Sequence, residues 1–553
     1  MEARRKMYRR PPQCKIYMEA RRKMYRRPPQ CLALGNLRFG VSCRVSSIPT
    51  GPWDVASNTA SINTICCGSV FAWSAPALPY LQSALVSDDT NTQPGDNYTY
   101  YNVSEDLNQR RVNFDNNGSI GLPPDDTISV AEGSIISSLV AIGCLVGSLP
   151  AGQLANAFGR RTMLQVMNVP LLVGWIIIIF ADRHVALLCT ARFVQGISLG
   201  LGAVMTPLYN EEIADTHVRG SLGVIYDLML TVGILWSYIA GASLPYLWLN
   251  ISSAFTAVLS AIMLFFIPES PVHLLLKNKR KKAEDALRWL RSKKHDTNYD
   301  PNQEIHSLQR LVDKTKVDLH SRSITSLNPT SLAGMFTVNN FTGPTAKSFY
   351  IILSLLVLRQ LGGINALTFY TVDIFKEAGS SMSPYVSSAV LGLVEFLMTL
   401  ATFTFVDRLG RRTLLLLSSI LMGACLTGIS LLGYLKVFGY DVMLVEWLPL
   451  VLFALYLSAF SVGFGPIPWF MMAELIPTES KGWVTGVVAT VNWLAMFLVT
   501  QLFPGMVVSI GSAGTFLVYG VLNILAAVFV FTCVPETRGK TIEMIQIELG
   551  GKF

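Results

Sequence analysis

Charge is scarce in this chain. Its 553 residues include 44 Lys and Arg and 36 Asp and Glu, so 14% are charged, against roughly 25% in an ordinary soluble domain. That shortage, taken with 51% apolar residues, excludes an intrinsically disordered chain and argues against a string of soluble domains. Cysteine is sparse and unsuited to bridging. Cys14, Cys31 and Cys43 lie in a basic tail, the other six lie in apolar runs, and none falls in the polar stretch 85–128. That excludes a disulfide framework. No cysteine pair has zinc-ligand spacing, and the six histidines sit in loops or near helix ends, so no metal site is expected. A phosphate-binding Gly-Lys loop and a nucleophile elbow are also missing. An enzyme is therefore disfavoured, and no cofactor is expected.

What the chain has instead is apolar sequence: 51% of residues and a mean hydropathy of +0.42. A bilayer-spanning helix needs roughly 20 mostly apolar residues. Twelve runs qualify: 56–82, 129–157, 163–182, 185–210, 221–245, 250–267, 347–373, 383–406, 413–434, 447–472, 483–507 and 513–534. The reading is an all-α membrane protein of twelve transmembrane helices. Between and around them lie a basic tail (1–52), an acidic Asn-, Asp- and Gly-rich loop (85–128), a charged helical linker (268–346) and a short C-terminal tail (536–553). The membrane part divides into halves at 53–267 and 347–535.

Basic residues set the expected orientation. With both termini cytoplasmic, 37 of the 44 Lys and Arg fall inside and five outside, the other two lying within helices. The net charge of +8 thus reports orientation in the bilayer, not a nucleic-acid partner. The sequons at Asn97, Asn102 and Asn117 then fall outside, where glycosylation occurs, and the one at Asn340 falls inside. In the tail, Met1–Cys14 recurs unchanged as Met18–Cys31. This reads as a recent duplication or a gene-structure error, with Met18 as an alternative start.

The two halves repeat each other's motifs. Gly159-Arg160-Arg161 follows the second run, and Asp407-Arg408-Leu409-Gly410-Arg411-Arg412 follows the eighth. Glu212 precedes Arg219-Gly220 by seven residues, and Glu474 precedes Lys481-Gly482 by seven. Pro268-Glu269-Ser270-Pro271 follows the sixth run, and Pro535-Glu536-Thr537 the twelfth. Three motif pairs in the same order, all on the cytoplasmic side, imply two six-helix halves in one orientation. Opposite charges at these helix ends read as a gate formed by Arg160, Arg161, Glu212, Arg219, Asp407, Arg411, Arg412 and Glu474. In an outward-open state Arg411 is expected to face Glu212, and Arg160 to face Glu474.

These residues resemble the sugar-transporter family of the major facilitator superfamily, close to the glucose facilitators, from about 55 to 545. Further carriers of the resemblance are Arg192-Phe193-Val194-Gln195-Gly196, Gln360-Leu361-Gly362-Gly363-Ile364-Asn365, Gly465-Pro466-Ile467-Pro468-Trp469 and Asn492-Trp493. Ser461-Val462-Gly463-Phe464-Gly465-Pro466 is similar to insect facilitated trehalose transporters. The resemblance implies a two-half fold and a plasma-membrane carrier for a hexose or trehalose. It also implies a sugar site at Gln360, Asn365, Tyr370, Trp469, Asn492 and Trp493. Amide side chains both donate and accept, which suits hydroxyls, and indoles offer flat faces to sugar C–H groups.

Against the family pattern, Asp227 and Arg359 stand where glutamines are usual and Glu395 where asparagine is usual. Charge at mid-bilayer costs ~2.5–3.5 kcal/mol on insertion scales, so pairing is expected. Counted along their helices, Arg359 lies roughly 18 Å, Glu395 roughly 16 Å and Asp227 roughly 9 Å from the cytoplasmic ends. The expectation is an Arg359–Glu395 ion pair with Asp227 nearby. The first run lacks the mid-helix acid of proton-coupled relatives, which favours facilitative uniport. Asp227 and Glu395 leave protons open as a second partner, and a charged solute as an alternative cargo. A non-transporting sugar sensor is a further alternative, disfavoured by the short segment after Pro535.

Overall fold

A computed structural model of the chain describes residues 52–82, 128–214, 219–291, most of 301–313, 344–378, 382–439, 447–476, 481–540 and 542–550. The duplicated tail, Asn97, Asn102, Asn117 and Asn340 lie outside these residues, as do the side chains of Arg219 and Asp407.

The described residues form helices and no strands. The first half comprises α1 (Pro52–Ala72), α2 (Ser74–Gln82), α3 (Val130–Phe158), α4 (Arg160–Val166), α5 (Asn168–Ala181), α6 (Val185–Ile213), α7 (Arg219–Ser243) and α8 (Tyr246–Met263). The linker contributes α9 (Pro271–Leu276) and α10 (Arg280–Arg291). The second half holds α11 (Pro344–Leu361), α12 (Ile364–Ala378), α13 (Pro384–Leu409), α14 (Arg411–Val437), α15 (Leu448–Val462), α16 (Ile467–Leu475) and α17 (Lys481–Cys533), followed by α18 (Ile542–Glu548).

Ten helices among the described residues are long and apolar enough to cross a bilayer. One of them, Val484–Cys533, has 50 residues. At ~1.5 Å per residue it would measure about 75 Å, over twice the hydrocarbon thickness. It turns at Gly511, whose φ is +75°, and so provides two crossings. With the α1–α2 segment this is consistent with the twelve runs read from the sequence.

Several runs are broken where hydropathy is unbroken. The first divides at Trp73, ahead of Pro76 and Pro79, which cannot donate to the preceding turn. The seventh divides at Gly362-Gly363, and the tenth at Gly463–Pro466.

Close helix approach builds each half. A Cβ added at Gly143 of α3 would lie 2.2 Å from the Phe193 carbonyl oxygen of α6. Only glycine permits that spacing, the small-residue packing that membrane helices use. Between the halves, α3 packs on α17, α7 on α13, and α2 on α12. The polar links across this seam lie away from the Gly-Arg-Arg turns. Ser138 donates to Gln501 at 2.6 Å, Gln501 donates to Ser134 at 3.0 Å, and Tyr238 donates to the Thr368 carbonyl at 2.9 Å. Phe71 stacks on Phe369 with ring centroids 6.2 Å apart. These contacts tie the two halves together at that end.

Candidate functional site

The break between α11 and α12 organises the centre of the second half. Gly363 has a φ of +91°, a conformation open to glycine and strained for other residues. The break frees the Gly362 carbonyl, which accepts from the Tyr456 hydroxyl at 2.9 Å and from Asn523 at 3.2 Å. Non-helical backbone at membrane depth requires such replacement partners. Discontinuous helices of this kind mark solute sites in carriers.

Three of the sequence-predicted residues meet at this break. Gln360 donates to Asn492 of α17 at 2.8 Å, and Asn365 donates to Gln360. Gln360 and Asn492 are buried, and Asn365 is half-buried. Each amide has more hydrogen-bonding capacity than this chain uses, so the cluster can exchange partners with a polyol. Tyr370 is placed differently. It sits at a kink in α12, its hydroxyl donates to the Thr500 carbonyl at 3.4 Å, and its ring stacks on Phe503 at 5.2 Å. Trp493, next to Asn492, is buried, and Trp469, just past the second break, is half-buried against the core.

The charge trio departs from expectation. Arg359 forms no salt bridge within 4.0 Å to either acid. Its guanidinium lies over the Phe460 ring at 5.1 Å, and its Nε is buried without a hydrogen-bond partner. The expected Arg359–Glu395 contact pair is therefore not formed: Arg359 packs its guanidinium on an aromatic ring instead. Residue counting gives depth along a helix but not the direction a side chain leaves it. Glu395 instead lines a cavity of about 10 Å³ with Tyr238, Thr371 and Tyr456, room for about one water.

At the basic end, each half closes on itself. Arg160 reaches Glu212 at 2.8 Å, and Arg411 reaches Glu474 at 3.2 Å. The cross-half pairing expected of an outward-open state is thus replaced here by pairing within halves. The described polar contacts between the halves lie elsewhere, at Ser134, Ser138 and Gln501 and at Tyr238 and Thr368. Two roles were missed by sequence reasoning. Glu269 accepts the backbone N–H groups of Arg160 and Arg161 at 2.8 and 3.0 Å, and Glu536 accepts those of Arg411 and Arg412 at 3.0 and 3.2 Å. Ser270 donates to Glu212 as Thr537 donates to Glu474. Arg161 and Arg412 donate to backbone carbonyls, of Leu264 and Phe265 and of Phe531 respectively. The repeated Pro-Glu-Ser and Pro-Glu-Thr motifs were the available signal.

Arg192 is fully buried and held without an acid. It donates to the Val70 carbonyl at 2.8 Å, Ser74 at 3.2 Å and Gln195 at 3.2 Å, and lies over Trp73 at 5.0 Å.

A helical bundle in two repeated halves, with broken helices and an amide cluster at the break, is a membrane carrier. The family described as "Sugar (and other) transporter" matches residues 80–549, and the chain belongs to it. It is a multi-pass membrane sugar transporter and not an enzyme. A facilitated trehalose transporter Tret1-2 homolog of Drosophila simulans is 35% identical over 420 residues, covering 76% of this chain and 82% of that protein. A facilitated trehalose transporter Tret1 of Apis mellifera ligustica is 35% identical over 416 residues, covering 75% and 79%. Among solved structures, the inward-open xylose transporter XylE from E. coli is similar in fold, with a TM-score of 0.64 and 21% identity, covering 90% of this chain and 99% of that one.

Proposed function

We propose that the chain is a plasma-membrane carrier for trehalose or a hexose that works by alternating access, with both termini in the cytoplasm. The amide cluster of Gln360, Asn365 and Asn492 carries the reading, because it offers convergent donors and acceptors at a helix break. The trehalose relatives support the substrate class. Facilitated uniport is supported by Arg192, whose hydrogen-bond partners are a carbonyl, a hydroxyl and an amide. Such partners release no proton. The test is uptake of radiolabelled trehalose and glucose into oocytes, with and without a proton gradient. The expected result is saturable uptake of at least one sugar in the absence of a gradient. Asn492→Ala should lower it by ~10-fold, the scale of one lost buried hydrogen bond, with surface expression unchanged. Absence of uptake of both sugars by protein present at the cell surface rejects the proposal.

A second reading, a carrier for a charged solute, rests on the buried, unpartnered Nε of Arg359. Competition of the same uptake by a sugar acid, and not by its neutral parent, would favour it.

A further inference from the structure

A cleft of about 680 Å³ opens where the first half leaves the apolar zone. It lies between the end of α3, the start of α4, the end of the Tyr246–Phe266 span and the linker helices α9 and α10. One wall is apolar. Phe158 and Phe266 are 62% and 71% exposed and sit at the ends of spans, where side chains meet lipid. Trp289 of α10 faces the same space, and an indole at a membrane boundary settles at headgroup level.

Basic side chains share the lining. Lys279 and Lys282 are exposed and form no salt bridge among the described residues. Arg161 spends its guanidinium on the Leu264 and Phe265 carbonyls, at 3.1 and 2.9 Å, and so keeps its charge unneutralised by an acid there. Two carboxylates line the cleft. Glu269 is engaged by the backbone N–H groups of Arg160, Arg161 and Ser270, which leaves Asp285 as the freely exposed acid. His273 adds no charge at neutral pH, because burial holds its imidazole below the ordinary value. Three cations against two acids, one of them occupied, make the cleft attractive to an anion.

We propose that this cleft binds the phosphate headgroup of an anionic phospholipid, with its acyl chains lying over Phe158 and Phe266. The basic side chains supply charge to the headgroup, as juxtamembrane Lys and Arg do at anionic leaflets. The apolar wall has a use only if the anion carries a hydrocarbon chain, which sets a lipid apart from soluble phosphate. The cleft shares no lining residue with the amide cluster and does not depend on which solute is carried. Because α10 forms one wall and the ends of α3 and α4 another, an occupied cleft ties the linker to the first half.

The test is native mass spectrometry of the full-length protein in detergent, titrated with phosphatidylcholine, phosphatidylserine or a phosphatidylinositol phosphate. The anionic lipids should be retained at least tenfold more strongly than phosphatidylcholine. The double variant Lys279→Ala/Lys282→Ala should lose most of this preference, at about fivefold per charge, and Lys279→Arg/Lys282→Arg should keep it. Inorganic phosphate in excess should leave the bound lipid in place. A photo-crosslinking anionic lipid should label the segment containing Lys279 and Trp289 in the unmodified protein, which needs no variant to fold. Equal retention of neutral and anionic lipid, an unchanged preference in the alanine variant, displacement by phosphate, or labelling confined to other segments overturns the proposal.

Discussion

Glu212→Gln and Arg160→Gln, singly and together, test whether the basic-end clasp is a buried ion pair or a surface ornament. Arg160 Nη2 and Nε both donate to Glu212 Oε1, at 2.8 and 3.0 Å, and the two side chains are 5% and 12% exposed. At 2.8 Å and an effective dielectric of 20, the Coulomb attraction is roughly 6 kcal/mol before desolvation is subtracted. Removing one partner strands the other charge and should cost about 3–5 kcal/mol, whereas the double change returns much of that. The repeat-related pair Arg411–Glu474 is longer, at 3.2 Å, and wetter, with side chains 14% and 30% exposed. Its coupling should be only about 1 kcal/mol, near the range of solvent-exposed pairs. The assay is a double-mutant cycle for each pair, read by reversible unfolding in mixed detergent–SDS micelles. The expected coupling is at least ~2 kcal/mol for the first pair and clearly smaller for the second. Equal couplings, or a first-half coupling below ~0.5 kcal/mol, the scale of additive error, would refute the reasoning from burial.

Arg359→Gln should combine nearly additively with Asp227→Asn and with Glu395→Asn, because Arg359 forms no salt bridge within 4.0 Å to either acid; uptake and surface expression of the three singles and two doubles decide this. Gly143→Val should reduce folded yield and cost at least ~1–3 kcal/mol, since its Cβ would sit 2.2 Å from the Phe193 carbonyl; monodisperse recovery on size-exclusion chromatography checks it. His273 titrates with a lowered value, through burial first and then Arg160, Lys277 and Lys279, with Glu269 opposing. Its contribution to stability is therefore present above the ordinary histidine value and lost as pH falls through the lowered one. Thermal stability should decline on acidification below about pH 6.5, and His273→Gln should flatten that decline.

The spans were legible because lipid demands long uninterrupted apolar stretches, a signal that does not depend on partners. The breaks at Trp73 and Gly463 were not, because interrupting a helix leaves its hydropathy unchanged. Gly362-Gly363 stood out as a motif, yet its role as a break needed the +91° φ of Gly363. The six-residue sugar reading came from resemblance, and the structure draws Gln360, Asn365 and Asn492 into one cluster while setting Tyr370 against Thr500 and Phe503. Repetition identified Arg160, Glu212, Arg411 and Glu474 as a set but could not decide who pairs with whom, since within-half and cross-half pairing leave the same sequence pattern. Glu269 and Glu536 went unassigned because their partners are backbone N–H groups, which every residue but proline carries.

The self-closing clasps bear on how the protein is made. Every partner of the first one, from the Ala155 carbonyl to His273, lies within 155–273. That stretch has left the ribosome before Pro344, the first residue of α11, is translated. Domains generally fold as units in order of synthesis, so the first half can lock its α3–α4 turn, the end of α6 and the start of the linker while the second half does not yet exist. The nascent bundle then meets the later helices as a finished surface instead of a set of loose strands of helix competing for one another's charges. Inverting the order of the halves in the gene should leave each clasp able to form, because the Arg160–Glu212 and Arg411–Glu474 pairs each join residues of a single half.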